Sequence, residues 1–86
     1  MDFVYSSGFS KKYKKLIAKD KSKVEERLRL FAEDEFHPLL SNHKLHGEYA
    51  NCRSINITGD IRIVYEKLST QKYYLRVIGT HSELYE

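Results

Sequence analysis

The sequence predicts an α+β fold in which helices cover one face of a small antiparallel sheet. Its first half carries apolar residues at helical spacing, and after Gly47 the pattern changes to the alternation that is typical of strands. Because helices and most strands are segregated along the chain, an α+β class is favoured over α/β. We expect the order β-α-α-β-β-β, followed by a tail too short for more than one helical turn.

The chain of 86 residues predicts a single domain, 1–86, with one small core and marginal stability. Its net charge of +3 is distributed unevenly, since lysines crowd the segment from Lys11 to Lys23. A basic segment suits binding to nucleic acid or to an acidic protein, and an ordinary solvated helix face explains it equally well.

The sequence also indicates the compartment. Cys52 is the only cysteine, which excludes an internal disulfide and favours a reducing cytoplasm, with this thiol packed as a small apolar residue. The N-terminus lacks the basic start and the apolar run of a signal peptide. No segment approaches the roughly 18 apolar residues of a membrane span. We expect a cytoplasmic protein without membrane contact.

The first elements are predicted from local pattern. Asp2–Tyr5 reads as an edge strand that Ser6-Ser7-Gly8 ends, and any of Ser6, Ser7 or Ser10 can cap the helix that follows. Apolar residues then recur at i, i+4, i+7 and i+8, which predicts one buried helix stripe of Phe9, Tyr13, Leu16 and Ile17.

A second helix is predicted after a turn at residues 19–21. Ser22 followed by Glu25 matches a capping box, and the apolar repeat behind it consists of Val24, Leu28 and Phe31. The helix should end between Glu33 and Glu35, because Pro38 disfavours helical backbone at the residue before it.

Three sequential strands follow a connection over Leu39–Gly47. Alternating residues predict strands at Tyr49–Ile57, Ile61–Lys67 and Lys72–Ile78, joined by turns at residues 58–60 and 68–71. Short turns between sequential strands favour an antiparallel meander.

Side chains that can transfer protons and bind phosphate concentrate in two stretches, Asn42–Tyr65 and the C-terminal GTHSELY. A phosphodiester reaction needs a base, an acid and a cation, and histidine titrates near neutral pH. The candidates are His43, Asp60, Arg62 and His81. No HExxH, CxxC or glycine-rich phosphate loop occurs, so we expect no metal and no cofactor.

The segments KLHGEY, RSINITGDIRIVYE and GTHSELY resemble the RelE/ParE toxin superfamily and are most similar to its YafQ-type mRNA interferases. The resemblance implies a RelE-like fold and a toxin of a type II toxin–antitoxin pair. It further implies cleavage of mRNA in the ribosomal A site through the ribose 2′-OH, without a metal. The implied partners are a cognate antitoxin, bound for example in a heterotetramer, and the ribosome with its 16S rRNA and mRNA.

Carried over residue by residue, the resemblance assigns catalysis to His43, Asp60, Arg62 and His81. It assigns substrate binding to Tyr85, which stands where the family has a base-stacking aromatic. We also expect Asn56, Lys44 and Arg76 to bind the substrate. Asn56 stands where the YafQ type tends to have a histidine. Val77 stands where an arginine is expected, and strand parity turns its neighbour Arg76 to the opposite face unless a bulge intervenes.

Each assignment has a plainer alternative. Asp60 can serve only the turn, and Tyr85 can close the core instead of stacking on a base. His37 and His46 read as surface residues. For the whole chain, the rival is a member of the superfamily without nuclease activity, either a ParE-like gyrase inhibitor or a degenerate toxin that binds only its antitoxin. A basic RNA-binding module without chemistry is a weaker reading.

Overall fold

The structure is a computed structural model that describes residues 1–85, and its elements form one sheet with two long helices on one side. In chain order they are β1 (Asp2–Tyr5), α1 (Ser7–Lys15), α2 (Ala18–Glu33), β2 (His43–Lys44), β3 (Arg53–Asn56), β4 (Ile61–Lys67), β5 (Lys72–Thr80) and α3 (His81–Tyr85). Within these residues, no helix combines the length and the apolar character that are required to cross a membrane.

The sheet has five strands in the order β1-β5-β4-β3-β2. Strands β2 to β5 form an antiparallel meander, and β1 lies parallel to β5 at the far edge. The predicted α+β class, the edge position of β1 and the antiparallel meander are therefore confirmed.

The core lies between the sheet and the two long helices. Phe31 of α2 is fully buried, and its ring lies 4.9 Å from that of Tyr65, 5.2 Å from that of Tyr73 and 5.9 Å from that of Phe3, measured between centroids. These contacts join α2 to β1, β4 and β5. The predicted stripe of Val24, Leu28 and Phe31 is buried as expected.

The corner between the helices differs from the prediction. Leu16 and Ile17 both adopt extended backbone, and α2 starts at Ala18, before the predicted turn. Ser22 therefore lies inside the helix and caps nothing, because the lysines around it continue the helix readily. Ile17 is 65% exposed instead of buried, since it occupies the corner. The cap of α1 is Ser6, whose Oγ accepts from the Phe9 amide at 2.9 Å.

The strand predicted at Tyr49–Ile57 was wrong over its first part. Gly47–Tyr49 forms a 3-10 turn, Gly47 has a φ of 65°, and β3 begins only at Arg53. The turn continues because the Cys52 amide donates to the Tyr49 carbonyl at 2.9 Å. This turn reverses the chain and lets His43–Lys44, predicted as part of a connection, pair with β3 as a short strand.

A bulge in β5 changes which residues share a face. Val64 pairs with Val77 and Tyr65 with Leu75, so Arg76 is an extra residue without a partner on β4. Its Nη1 donates to Cys52 Sγ at 3.7 Å, and its guanidinium carbon lies 5.4 Å from the Tyr49 ring centroid. Arg76 thus lies on the side of the sheet that faces away from α1 and α2.

That second side, called the open face below, is partly covered. Val64 and Ser54 are fully buried although neither belongs to the core against the helices. The residues that cover the open face come from α3 and from the segment around Tyr49.

Truncating the central aromatic should destabilise the fold strongly. We expect Phe31→Ala to lower the free energy of unfolding by about 3–5 kcal/mol, because it removes a fully buried ring and leaves a cavity. Phe36→Ala is the matched control, since Phe36 is 59% exposed and its ring lies 5.2 Å from the Arg53 guanidinium carbon. It should cost less than about 1 kcal/mol. Urea denaturation measures both values, and equal losses would contradict this account of the core.

Candidate active site

A shallow cavity of about 300 Å³ lies on the open face, where β2, β3, β4 and α3 meet. Its walls come from four separate chain segments and are polar or aromatic except for one leucine. The lining residues are Ser41, His43, Leu45, Asn56, Arg62, His81 and Tyr85. The fold thus brings together two imidazoles, a guanidinium and a phenol that are widely separated in sequence.

His43 reaches the cavity because β2 pairs with β3. It lies opposite Ser54, on the open face, and its side chain is exposed. The ring Nδ1 lies 2.9 Å from the carbonyl oxygen of Ser41, which can only accept a hydrogen bond. This contact places the proton of a neutral ring on Nδ1 and leaves Nε2 with the lone pair of a general base.

Arg62 and Asn56 face each other across β3 and β4. The Nη1 of Arg62 donates to the carbonyl of Thr58 at 2.8 Å and to that of Ile61 at 3.2 Å, and its Nη2 donates to the carbonyl of Gly59 at 3.2 Å. The guanidinium therefore closes the tip of the β3–β4 hairpin at the edge of the cavity. Its positive charge remains there, since carbonyls do not neutralise it.

His81 and Tyr85 lie one helical turn apart on α3. Their ring centroids are 4.8 Å apart, and the rings meet edge to face at 65°. The Tyr85 hydroxyl donates to Ser54 Oγ at 2.5 Å, across the sheet face. The tyrosine therefore fixes α3 over β3 and supports the imidazole of His81 at the same time.

The start of α3 is held by a capping box. Its residues are present in the sequence, but it was not predicted. The Thr80 amide donates to Glu83 Oε1 at 2.8 Å, and the Glu83 amide donates to Thr80 Oγ1 at 3.2 Å. The helix lies so close to the sheet that a Cβ on Gly79 would stand 3.1 Å from Glu83 Oε1 and 3.3 Å from Leu84 Cδ2. A larger residue than glycine would therefore require these two side chains to shift by a few tenths of an ångström.

Glu83 also pairs with Lys12 of α1, which ties α3 to the first helix. The donation from Lys12, followed by the bond from the Thr80 backbone, lowers the pKa of Glu83 from its ordinary 4.5 to about 2. About half of each of the two side chains remains exposed, so solvent and salt weaken the pair.

Three predicted residues lie outside the cavity. Asp60 borders a neighbouring hollow near Lys12 and Glu83, although its carbonyl accepts from the His81 amide at 3.1 Å. Lys44 lies opposite Arg53, beside a hollow lined by Glu35 and Phe36, because adjacent strand residues point to opposite faces. Arg76 shares the open face but lies over Tyr49 and not over the cavity.

Two cavity residues were not predicted from the sequence. Ser41 adopts left-handed backbone with a φ of 46°, and Leu45 follows the short strand β2. Both enter the wall only because β2 forms, and a strand of two residues leaves no periodic signal. Among residues 1–85, no group of three His, Cys, Asp or Glu side chains is arranged to hold a metal ion.

The contribution of Glu83 to stability should depend on pH. Because the folded state lowers its pKa, the stabilisation is fully present above about pH 4.5 and is lost as the pH falls towards about 2. We expect wild type to be more stable than Glu83→Gln at pH 7, with the difference shrinking across this window. Urea midpoints of both proteins between pH 7 and pH 2 measure it, and a constant difference would contradict the assignment.

Comparison with known proteins identifies the family. The family model for the bacterial YafQ toxin of type II toxin–antitoxin systems matches residues 1–86. The crystal structure of YafQ from E. coli strain BL21(DE3) is 23% identical, covers 99% of this chain and 98% of that chain, and superposes with a TM-score of 0.79. A copper-bound mutant toxin from Helicobacter pylori is 27% identical, with 99% of each chain covered and a TM-score of 0.78.

A third structure contains a second protein. It is the crystal structure of the E. coli DinJ–YafQ complex, in which the matched chain is 25% identical in sequence to this one. The match covers 99% of this chain and 98% of that chain, with a TM-score of 0.77. No curated protein sequence matches. Since the family model spans the whole chain and the fold agrees, the chain belongs to the YafQ family, with a RelE-like fold, and is a toxin of a type II toxin–antitoxin system.

Proposed function

We propose that this toxin is a ribosome-dependent endoribonuclease, an mRNA interferase that cleaves mRNA in the ribosomal A site and thereby inhibits translation. One observation carries the proposal: His43, His81 and Arg62 line a single cavity on the open face. General base, general acid and cation are the groups that cleavage by an internal ribose hydroxyl requires. Because the nucleophile belongs to the RNA, the reaction needs no metal.

His43 acts as the base and His81 as the acid. The Nε2 of His43 takes the proton from the 2′-OH, and O2′ then attacks the adjacent phosphorus. The bond between phosphorus and O5′ breaks, and His81 protonates the departing O5′. The products are a 2′,3′-cyclic phosphate and a 5′-hydroxyl, so atoms and charge balance. The bond from His43 Nδ1 to the Ser41 carbonyl supports this division, because in the neutral ring it leaves Nε2 as the acceptor.

Arg62 stabilises the negative charge that grows on the phosphate during attack. Its guanidinium is held rigidly by carbonyls of the hairpin, so little reorganisation is needed at the moment of reaction. Tyr85 offers a ring for an unstacked base, and Asn56 offers an amide for hydrogen bonds. Asp60 holds His81 through its backbone carbonyl, and Lys44 and Arg76 bind the RNA outside the cavity.

Two macromolecular partners follow from this function. The lysines of α1 provide phosphate contacts to 16S rRNA, and such contacts weaken steeply with salt. The DinJ–YafQ complex supports a cognate antitoxin as the second partner, bound in a heterotetramer or a related assembly. The cytoplasm, where ribosomes are found, is the compartment that this function requires.

Removing either imidazole should abolish most of the cleavage. We expect His43→Ala and His81→Ala each to reduce the rate by about 10²–10⁴-fold, the contribution of a general acid or base. His46→Ala is the matched control, because His46 is an exposed histidine three residues from His43 that caps nothing with its side chain. Primer extension on mRNA from an in-vitro translation reaction measures A-site cuts.

Two outcomes of that experiment would contradict the proposal. Unchanged cutting by both variants would remove these histidines from the reaction. Absence of cutting by the wild type, together with inhibited supercoiling by gyrase, would establish the rival function. The rival is favoured by Asn56, which cannot transfer protons, and by the carbonyl bonds that occupy part of the Arg62 guanidinium. A wild type inactive in both assays but bound to its antitoxin would mark a degenerate toxin.

The two roles of Tyr85 can be separated by two substitutions. Tyr85→Phe keeps the ring and loses the bond to Ser54, whereas Tyr85→Ala loses both. If the ring stacks on a base, Tyr85→Ala should weaken RNA binding by about 1–3 kcal/mol and Tyr85→Phe should not. Titration of the purified toxin on programmed ribosomes measures this difference. Equal affinities of all three proteins, with reduced thermal stability of both variants, would limit Tyr85 to packing.

A further inference from the structure

A nearly buried polar network lies behind β2, and the proposed reaction does not use it. Its centre is Glu35, which follows α2 and whose side chain is 11% exposed. The carboxylate accepts from the Tyr65 hydroxyl at 2.6 Å, from the Tyr73 hydroxyl at 3.1 Å and from Lys67 Nζ at 3.4 Å. A carboxylate that loses solvent must be compensated by such donors, and here β4 and β5 supply them.

Asn42 joins this network to the loop before β2. Its Nδ2 donates to the backbone carbonyl of Glu35 at 3.0 Å and to the Tyr65 hydroxyl at 2.7 Å, while its Oδ1 accepts from Arg53 Nε at 2.6 Å. Both hydrogens and the oxygen of the amide are therefore engaged. These hydrogen bonds to the residue after α2, to β3 and to β4 hold the Asn42 side chain in one position.

The position of Asn42 determines that of His43 through one peptide unit. The carbonyl of Ser41 belongs to the peptide bond between Ser41 and Asn42. Its oxygen lies 2.9 Å from His43 Nδ1 and accepts a hydrogen bond from it. Ser41 also adopts left-handed backbone, which a serine does not favour without support from its neighbours. Holding Asn42 therefore orients the acceptor that sets the tautomer of the His43 ring.

Tyr65 is the member of the network that can influence the cavity only indirectly, through its neighbours. It is fully buried and does not line the cavity, so it cannot touch RNA. Burial, together with donation to Glu35, raises the pKa of its phenol above the ordinary value, so the hydroxyl is protonated at neutral pH. It therefore remains at once a donor to Glu35 and an acceptor from Asn42.

We propose that Asn42 and Tyr65 are positioning residues for His43, and that they hold the Ser41 carbonyl which keeps the proton of the neutral imidazole on Nδ1. This inference rests on the proposed function for its effect on catalysis. Its structural content, the tautomer and orientation of His43, stands independently of RNA cleavage.

Substitutions at two tyrosines test the proposal against a simple loss of stability. Tyr65→Phe removes the hydroxyl that accepts from Asn42, whereas Tyr73→Phe removes a donor to the same carboxylate and leaves Asn42 untouched. We expect Tyr65→Phe and Asn42→Ala to lower kcat by about 10- to 100-fold, with KM changed less than about twofold, because a misplaced reacting group costs this much. Tyr73→Phe should retain both constants.

A second measurement does not require activity. ¹⁵N NMR of the histidine side chains reports the tautomer of His43, which should be protonated on Nδ1 in wild type and in Tyr73→Phe. In Tyr65→Phe and Asn42→Ala the two tautomers should mix. An unchanged tautomer in both variants would overturn the inference even if wild type cleaves RNA. Equal losses of kcat in Tyr65→Phe and Tyr73→Phe would also overturn it, since general loosening would then explain the effect.

If wild type cuts no RNA, the proposed function fails while the NMR result still decides the positioning of His43. If wild type cuts RNA and the tautomer shifts without a change in kcat, the proposed function stands and the catalytic part of the inference fails. The two proposals therefore fail through different observations.

Discussion

The burial of β4 on both sides is the constraint on which the structure depends. Ile63 and Tyr65 face the helices, Val64 faces the other way, and all three are fully buried. A strand buried on both faces must pair along both of its edges, since unpaired backbone groups there have no access to water. The pairing with β3 and β5 follows from this, and so does the location of the cavity at the end of the strand, where Arg62 marks the change from apolar to polar side chains.

The same constraint explains which parts of the fold could be predicted. The runs that became β4 and β5 alternate over enough residues for their period to be read, and the core residues of α2 recur at helical spacing. The helix corner and the first part of the strand after Gly47 could not be predicted, because each depends on a few backbone angles. Ser22 and Glu25 have the correct spacing for a capping box, but α2 begins before them, at Ala18.

The candidate site was predictable to the extent that it resembles a family motif. His43, Arg62, Asn56, His81 and Tyr85 were named from the sequence and line one cavity, whereas Ser41 and Leu45 were not named. From the sequence, Glu35 was named only as a residue at which the second helix could end. The structure instead surrounds it with two phenols and a lysine that lie far away in sequence. A contact between residues 30 positions apart leaves no local periodicity by which it could be predicted.

The parallel pairing of β1 with β5 bears on how the protein is made. Ser6, which caps α1, also donates to the carbonyl of Arg76, 70 positions further along the chain. During synthesis, the first strand and the two long helices emerge well before the strand that must lie beside them. His81 and Tyr85 follow β5 in the chain, so the candidate site is complete only after β5 has been synthesised.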